Sequence, residues 1–258
     1  MFTTIGFLES VDQAGAFNAL TALADQHVRV SGDDIQVPTL NQVVAVSAGV
    51  ENVAANRARL VSPSLRVRSN YLISPVNGAT AGAVEPGSPH AVVDLRRSPL
   101  ALAVGEQLNF ETFANPAAAQ IQWGLVWLAD APIAPVAGPM FSIRATSATA
   151  LVGSVWSNVA VTFDEDLPRG RYQLVGLWPI SAGMIAARAV FVGGTWRPGA
   201  LGSDSNNDLG DPMFRNGGLG VFGEFEDIEP PTFDCLSVSA DATQEFYLDL
   251  VQVRGGGA

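Results

Sequence analysis

Short segments in which apolar and polar residues alternate recur along most of the chain, and turn-forming residues separate them. In the first half, strands are predicted at HVRV, IQVP, NQVVAVSAG, ARLVS, LRVRS, YLISP, AVVDL, PLALAV and QLNFETFA, between residues 27 and 114. Prolines 38, 63, 75, 86, 89 and 99 punctuate these segments, and proline ends a helix or a central strand. The pattern therefore predicts a strand-rich first half.

The second half shows the same signal more clearly. Its strand candidates are IQWGLVWLAD, FSIRATSATA, SVWSNVAVTFD, RYQLVGLWPI, MIAARAVFVGG, LGVFGEFED, FDCLSVSA and EFYLDLVQV. Eight strands in one unit is the number found in a jelly roll. Pro or Gly lies at several of the turns between them, as in DEDLPRG and SAG.

One segment, residues 10–26, carries a helical pattern. Ser10 stands at a capping position, Gln13 completes a capping box, and Val11, Phe17, Leu20 and Ala24 recur at helical spacing. We therefore expect a short N-terminal helix; the alternative is that the first ten residues form a peripheral arm.

The stretch NPAAA at residues 115–119 interrupts the strand pattern and predicts a domain boundary. The expected organisation is an arm and helix over 1–26, a first β-sandwich over 27–118 and a second over 119–258. The expected fold class is all-β, with two consecutive sandwiches after a short N-terminal helix.

Composition narrows the functional classes. Hydrophobic residues make up 48% of the 258 residues, so much apolar surface must be buried within the fold or against neighbours. The net charge is −11, which disfavours wrapping around nucleic acid, and no sequence-specific nucleic-acid binding is expected. All 14 basic residues are arginine, which suits interfaces because its guanidinium forms paired hydrogen bonds; a GC-rich genome would explain the same bias.

The residues that usually carry catalysis are scarce. His27 and His90 are the only histidines, and neither belongs to a recognisable catalytic or metal-binding motif. Cys235, the only cysteine, lies in an alternating strand pattern and is expected to be a buried structural thiol. The N-terminus has neither a basic start nor a long apolar run, so synthesis in a cytoplasm is expected.

Paired carboxylates leave one catalytic alternative, a glycosidase, which needs only two of them. The candidates lie in two groups, Asp164, Glu165 and Asp166 in a turn, and Glu224, Glu226 and Asp227 along a strand. Acidic residues are common in such turns and on outer strand faces. No enzymatic activity is expected.

A run of oxygen-bearing side chains resembles half of a calcium-binding loop: Asp204, Asn206, Asp208 and Asp211. It departs from the EF-hand pattern because Gly210 comes one position late and Arg215 stands where a bidentate Glu is needed. A structural calcium ion is thus one hypothesis and a solvated loop the other; no other cofactor is predicted.

The longest irregular stretch, residues 193–218, is the best candidate for a contact surface, because long loops in compact domains are usually functional. It contains aromatic and arginine residues of the types enriched at interface hot spots. Alternatively, Trp196 and Phe214 close the end of the sandwich.

The string LPRGRYQLVGLWPISAGMIAARAVFVGGTWRPG, followed by FRNGGLGVFGEFEDIEPP, resembles structural proteins of phage type. The whole pattern, two consecutive sandwiches after a short helix, resembles the double jelly-roll major capsid proteins of tailless icosahedral viruses. The similarity carried by the string covers roughly residues 100–254, and the first half matches only in being strand-rich.

The resemblance implies two jelly rolls in a subunit that assembles as a homotrimer and then as a capsid lattice, in a virion. Copies of the chain would be its main partners, with minor capsid proteins and an internal membrane as further candidates. The residues expected at subunit contacts are Arg188, Trp196, Arg197, Pro198, Phe214 and Arg215. Assembly would bury part of the excess apolar surface.

The alternative function is a carbohydrate- or receptor-binding β-sandwich, such as a viral spike or a lectin-like protein. Trp123, Trp127, Trp156 and Trp178 would then stack on sugar rings. Three of them alternate with Leu or Val inside strands, which is simpler to explain as core packing.

Overall fold

The computed structural model describes residues 1–13, 16–50, 57–66, 72–73, 92–113, 117–204 and 210–255. These residues form two compact units, Phe2–Pro132 and Ile133–Ala258. Nearly all of the regular structure is antiparallel β-sheet.

The first unit consists of short and long strands in two sheets, with one short helix, α1, at Pro63–Arg66. Its strands are β1 (Phe2–Gln13), β2 (Phe17–Ala19), β3 (Thr21–Ala22), β4 (Val30–Ser31), β5 (Asp34–Gln36), β6 (Gln42–Val50), β7 (Arg57–Val61), β8 (Leu72–Ile73), β9 (Val92–Asp94), β10 (Leu100–Ala101), β11 (Gln107–Phe113) and β12 (Ala117–Ala129). One sheet has the order β10-β6-β12-β1-β3, with β9 also on β6. The other has the order β4-β5-β11-β7-β8, with β2 also on β11.

The second unit repeats this plan. Its strands are β13 (Phe141–Ser147), β14 (Trp156–Val159), β15 (Thr162–Phe163), β16 (Gly170–Ile180), β17 (Met184–Val190), β18 (Gly199–Leu201), β19 (Gly223–Glu226), β20 (Thr232–Ser237) and β21 (Gln244–Gly255). The two sheets have the orders β15-β13-β21-β16-β19 and β14-β20-β17-β18.

Both units have jelly-roll topology, in which eight principal strands lettered B to I form the sheets B-I-D-G and C-H-E-F. In the second unit, β13, β21, β16 and β19 are B, I, D and G, and β14, β20, β17 and β18 are C, H, E and F. In the first unit, β1, β12, β6 and the pair β9 and β10 form B-I-D-G. The strands β2 and β5, β11, β7 and β8 form C-H-E-F. The predicted fold of two consecutive jelly rolls is confirmed.

Aromatic residues join the two sheets within each unit. In the first, Phe7 and Phe110 are buried with ring centroids 5.9 Å apart. In the second, Phe233 and Phe246 stack at 4.7 Å. Because neighbours along a strand point to opposite faces, Glu111 and Asp234 lie on the outer faces of the C-H-E-F sheets.

The prediction of a helix for residues 10–26 is wrong, because the described residues of this stretch form the end of β1, the strands β2 and β3, and a loop. Ser10 does not cap a helix but pairs with Ile121, within a β1–β12 ladder that extends from Phe2 to Gln13. Leu20 N–H donates to Phe110 O at 2.9 Å, which ties the following segment to β11. Pairing along a long neighbouring strand thus outweighs a local helical spacing. His27 consequently lies in the loop between β3 and β4.

The predicted boundaries also differ from the structure. The division between 118 and 119 falls inside β12, which pairs with β1 on one side and β6 on the other and belongs to the first unit. The first unit therefore includes the residues predicted as a separate arm and continues to Pro132. Asn115 and Pro116 lie outside the described residues.

Among the described residues, no helix has the length and apolar character needed to cross a membrane.

Candidate interface surfaces

The long loop predicted as a contact surface is anchored within the second unit. Asp211 accepts a hydrogen bond from Met213 N–H at 2.8 Å and starts a short 3₁₀ turn at Pro212–Phe214. Phe214 is only 1% exposed, so its ring belongs to the core of the unit. This part of the loop agrees with the alternative in which its apolar residues close the sandwich.

Arg215 fixes the same loop to β21. Its guanidinium forms two hydrogen bonds with Asp249, from Nε at 2.8 Å and from Nη2 at 2.9 Å. Asp249 is fully buried and also accepts from Ser142 Oγ at 2.6 Å and Asn216 N–H at 2.8 Å. Burial acts to raise the pKa of Asp249, but these hydrogen bonds outweigh it and hold the pKa below its usual value.

A glycine makes room for this ion pair. Gly176 on β16 faces Asp249 on β21, and a Cβ at this position would overlap Asp249 Oδ2. The chain therefore needs a residue without a side chain here.

A second buried ion pair lies on the outer face of the C-H-E-F sheet of the second unit. Arg188 on β17 stands opposite Asp234 on β20, with Nη2 3.2 Å from Oδ2. Its guanidinium also lies 3.9 Å from the ring centroid of Trp156 on β14. Arg197, from the loop between β17 and β18, approaches Asp234 with Nε at 3.8 Å. We call Arg188, Asp234, Trp156 and Arg197 the Arg188 cluster.

The residues predicted at subunit contacts thus divide into two groups. Arg188, Pro198 and Phe214 are buried within their own unit and have little surface to share with another subunit. Trp196, Arg197 and Arg215 are partly exposed, and Arg197 and Arg215 are also tied to carboxylates of their own unit. Contact with another subunit stays a prediction for all six residues.

A surface of the first unit was missed in the sequence. Phe17, Arg57, Arg59, Glu111 and Phe113 share the outer face of its C-H-E-F sheet, and we call them the aromatic–arginine face. Arg59 forms an ion pair with Glu111 at 2.5 Å and lies 4.0 Å from the centroid of Phe17. The alternation in RAR and FETF is the sequence signal for this face, but Phe17 had been assigned to the predicted helix.

Four large apolar side chains are exposed at one end of the second unit. Val192 and Ile228 lie in the loops that follow β17 and β19 and are 70% and 84% exposed. Phe141 begins β13, and Val253 lies near the end of β21, its antiparallel partner. Val152 and Val155 are further exposed apolar residues of this unit, and contact with another protein can cover apolar area of this kind.

The calcium hypothesis concerns four residues, of which Asn206 and Asp208 lie outside the described residues. The other two already have partners, because Asp204 Oδ1 accepts from Gly183 N–H at 3.1 Å and Asp211 caps the 3₁₀ turn. Among the residues that the structure describes, no group of three or more ligating side chains is arranged around a metal position. A calcium ion in this loop stays a prediction.

Three of the six carboxylates weighed as catalytic pairs have structural partners. Asp164 pairs with Arg144 at 2.8 Å, and Glu224 pairs with Arg171 at 2.5 Å. Asp227 Oδ1 accepts from Gly170 N–H at 2.8 Å, which closes the end of β16. His90 lies outside the described residues.

Cys235 is fully buried on β20, as predicted, and burial raises the pKa of its thiol. The neutral thiol is therefore the dominant form at neutral pH, and it is a poor nucleophile.

The tryptophans weighed as sugar-binding residues are mostly enclosed. Trp123 and Trp127 are fully buried on β12, which confirms that they are core residues. Trp178 packs on Tyr247 with centroids 5.2 Å apart and donates to Ser203 Oγ at 2.9 Å. Trp156 lies against Arg188.

No protein-family model and no curated protein sequence matches this chain. Among solved structures, the chain is similar to the major capsid protein P2 from bacteriophage PM2. The two chains are 11% identical, with a TM-score of 0.28, and the alignment covers 99% of this chain and 100% of the other.

Proposed function

We propose that this protein is the major capsid protein of a tailless icosahedral virus and that it assembles through trimers into the shell. The observation that carries the proposal is the complete jelly-roll topology found twice in one chain. Such a subunit offers two sandwiches of the same plan, which is the arrangement implied by the sequence resemblance to double jelly-roll capsid proteins. Its location would be the virion.

Self-association is supported by the surface of the second unit. Phe141, Val192, Ile228 and Val253 expose apolar area at one end, and contact with another subunit would remove that area from water. The repulsion between chains of net charge −11 opposes such contact. Assembly should therefore be favoured by salt, which screens this repulsion.

The purified chain tests the proposal directly. We expect size-exclusion chromatography with light scattering to show a trimer, and negative-stain microscopy to show shells or ordered arrays at higher protein and salt concentration. A chain that stays monomeric under all these conditions, and binds glycans on an array, would instead support the carbohydrate-binding alternative.

The loop with Asp204 and Asp211 has a separate test. If it holds calcium, adding millimolar calcium should raise the melting temperature and a chelator should lower it, because a ligand that binds only the folded state stabilises it. An Asp204→Asn and Asp211→Asn double variant should lose this response. A melting temperature that neither treatment changes would contradict the calcium hypothesis.

A further inference from the structure

The aromatic–arginine face combines flat apolar rings with exposed cations. Phe17 on β2, Phe113 on β11 and Arg57 on β7 lie in one row across three neighbouring strands. The two rings are 5.6 Å apart between centroids, and the Arg57 guanidinium lies 4.5 Å from the centroid of Phe113. Stacking on a ring leaves the in-plane N–H donors of a guanidinium directed outward.

The two arginines of this face differ in their charge partners. Arg59 is paired with Glu111, whereas Arg57 is exposed and has no carboxylate within ion-pair distance among the residues that the structure describes. Arg57 can therefore form two hydrogen bonds with an incoming carboxylate, beside rings that an apolar side chain would cover. Arg and aromatic residues together are the types that contribute most at protein interfaces.

The charge of the chain indicates what such a face would bind. The protein has 25 acidic residues against 14 arginines, so most of its exposed charge is negative. Two copies repel each other unless cations lie where they meet. Arg57 supplies such a cation, and the exposed carboxylates of another copy supply its counterpart.

We propose that the aromatic–arginine face is a docking surface for a second copy of this chain, whose carboxylate binds Arg57 and whose apolar atoms cover Phe17 and Phe113. This inference rests on the proposed self-assembly and names one of its contact surfaces. In the second unit, the corresponding face is already covered by a segment of the same chain, because the loop that carries Arg197 lies beside Asp234.

The first test replaces Arg57 by Glu and measures association by sedimentation velocity over a range of protein concentrations. Arg97→Glu is the matched control, because Arg97 is an exposed arginine of the same unit in a turn, and the change in charge is the same. We expect Arg57→Glu to raise the concentration for half-maximal association roughly tenfold or more, and Arg97→Glu to raise it less than about threefold. Circular dichroism and melting temperature establish that both variants fold.

The possible outcomes separate this inference from the proposed function. If the wild-type chain assembles and both variants assemble as well as it does, or weaken equally, the docking surface is overturned while self-assembly stands. If the wild-type chain never associates, both proposals fail. A selective loss in Arg57→Glu supports the surface.

A cross-linking test does not depend on comparing affinities. An Arg57→Cys variant labelled with maleimide-benzophenone places a photoreactive group on the face, and the native Cys235 is fully buried and leaves the new thiol as the accessible one. Mixing this variant with isotopically heavy wild-type chain identifies cross-links between copies by mass spectrometry. We expect cross-links from position 57 to acidic segments of the heavy chain. Cross-links confined to the labelled chain would overturn the inference.

Discussion

The outer faces of the two C-H-E-F sheets carry the same three kinds of side chain at equivalent strand positions. In the first unit Arg59 stands opposite Glu111, and in the second Arg188 stands opposite Asp234. An aromatic residue from strand C lies under each guanidinium, with Phe17 at 4.0 Å and Trp156 at 3.9 Å.

The offset along strand C is the same in both units as well. Ala19 pairs with Glu111, and Phe17 lies two positions before Ala19. Asn158 pairs with Asp234, and Trp156 lies two positions before Asn158. An aromatic ring two residues from the carboxylate row is therefore a common feature of both sheets.

The two units differ in what covers these residues. In the second unit the side chains of Arg188 and Asp234 are 4% and 16% exposed, and Arg197 lies beside them. In the first unit the side chains of Arg59 and Glu111 are 26% and 19% exposed. The two units thus differ most in the exposed fraction of the arginine side chain.

The same arrangement of an arginine, a carboxylate and an aromatic ring therefore has different energetic consequences in the two units. Where the arginine is buried, its removal costs the ion pair and the ring contact in a position that water cannot fill, so the arginine contributes strongly to stability. Where it is open, each charge retains water as an alternative partner, and the pair contributes little to stability. In the proposed docking of a second chain, the more exposed pair of the first unit would instead form new contacts.

The largest expected effect comes from removing the buried arginine. Arg188→Met should lower the free energy of unfolding by about 3 kcal/mol, because the Arg188 side chain is only 4% exposed and its guanidinium loses both Asp234 and the Trp156 ring. Arg59→Met should lower it by less than about 1 kcal/mol, because the Arg59 side chain is 26% exposed and water can replace its charge beside Glu111. Urea unfolding followed by tryptophan fluorescence measures both. Equal losses would show that the two ion pairs do not differ in the way their exposure indicates.

A glycine beside the other buried pair gives the next effect. Gly176→Ala should destabilise the protein by about 2 kcal/mol, because the added methyl group displaces Asp249 from Arg215. The matched background is Arg215→Met, in which the pair is already lost. If the alanine acts through the pair, its cost should be clearly smaller in that background. An unchanged cost would mean that the methyl group disturbs the strands themselves.

Acid should act on the second unit through Asp249. Because its pKa is lowered in the folded state, the stability that its charge contributes is complete above the unfolded pKa of about 3.9. This contribution is lost as the pH falls through the folded pKa. The melting temperature of the wild-type chain should therefore fall more steeply below about pH 4 than that of Asp249→Asn. Parallel curves for the two proteins would contradict this role of the carboxylate.

Much of the fold could be predicted from local patterns, and the errors in the prediction have a physical cause. The segments FSIRATS and FDCLSVS alternate and became β13 and β20. The N-terminal residues were misassigned because their structure depends on β12, a strand more than one hundred residues away. Local spacing contains no information about such a partner.

The residues predicted at the interface show the same dependence on distant partners. Arg188 was chosen for its residue type, but its burial follows from pairing with Asp234, 46 residues further along the chain. Phe214 was correctly placed in a loop, but the loop folds back and buries its ring. Residue type predicts that an arginine or aromatic residue will form contacts, but not whether they lie within the chain or between copies.

The smallest effect concerns the aromatic rings. A double-mutant cycle with Trp156→Leu and Arg188→Met should give a coupling energy of about 1 kcal/mol, because stacking is stronger where water is excluded. The corresponding cycle with Phe17→Leu and Arg59→Met should give about 0.5 kcal/mol in the separated chain. Repeating the second cycle in the assembled state extends the comparison. If a second copy covers the open face, its coupling energy should rise toward that of the covered one, whereas an unchanged value would mean that assembly leaves these residues in water.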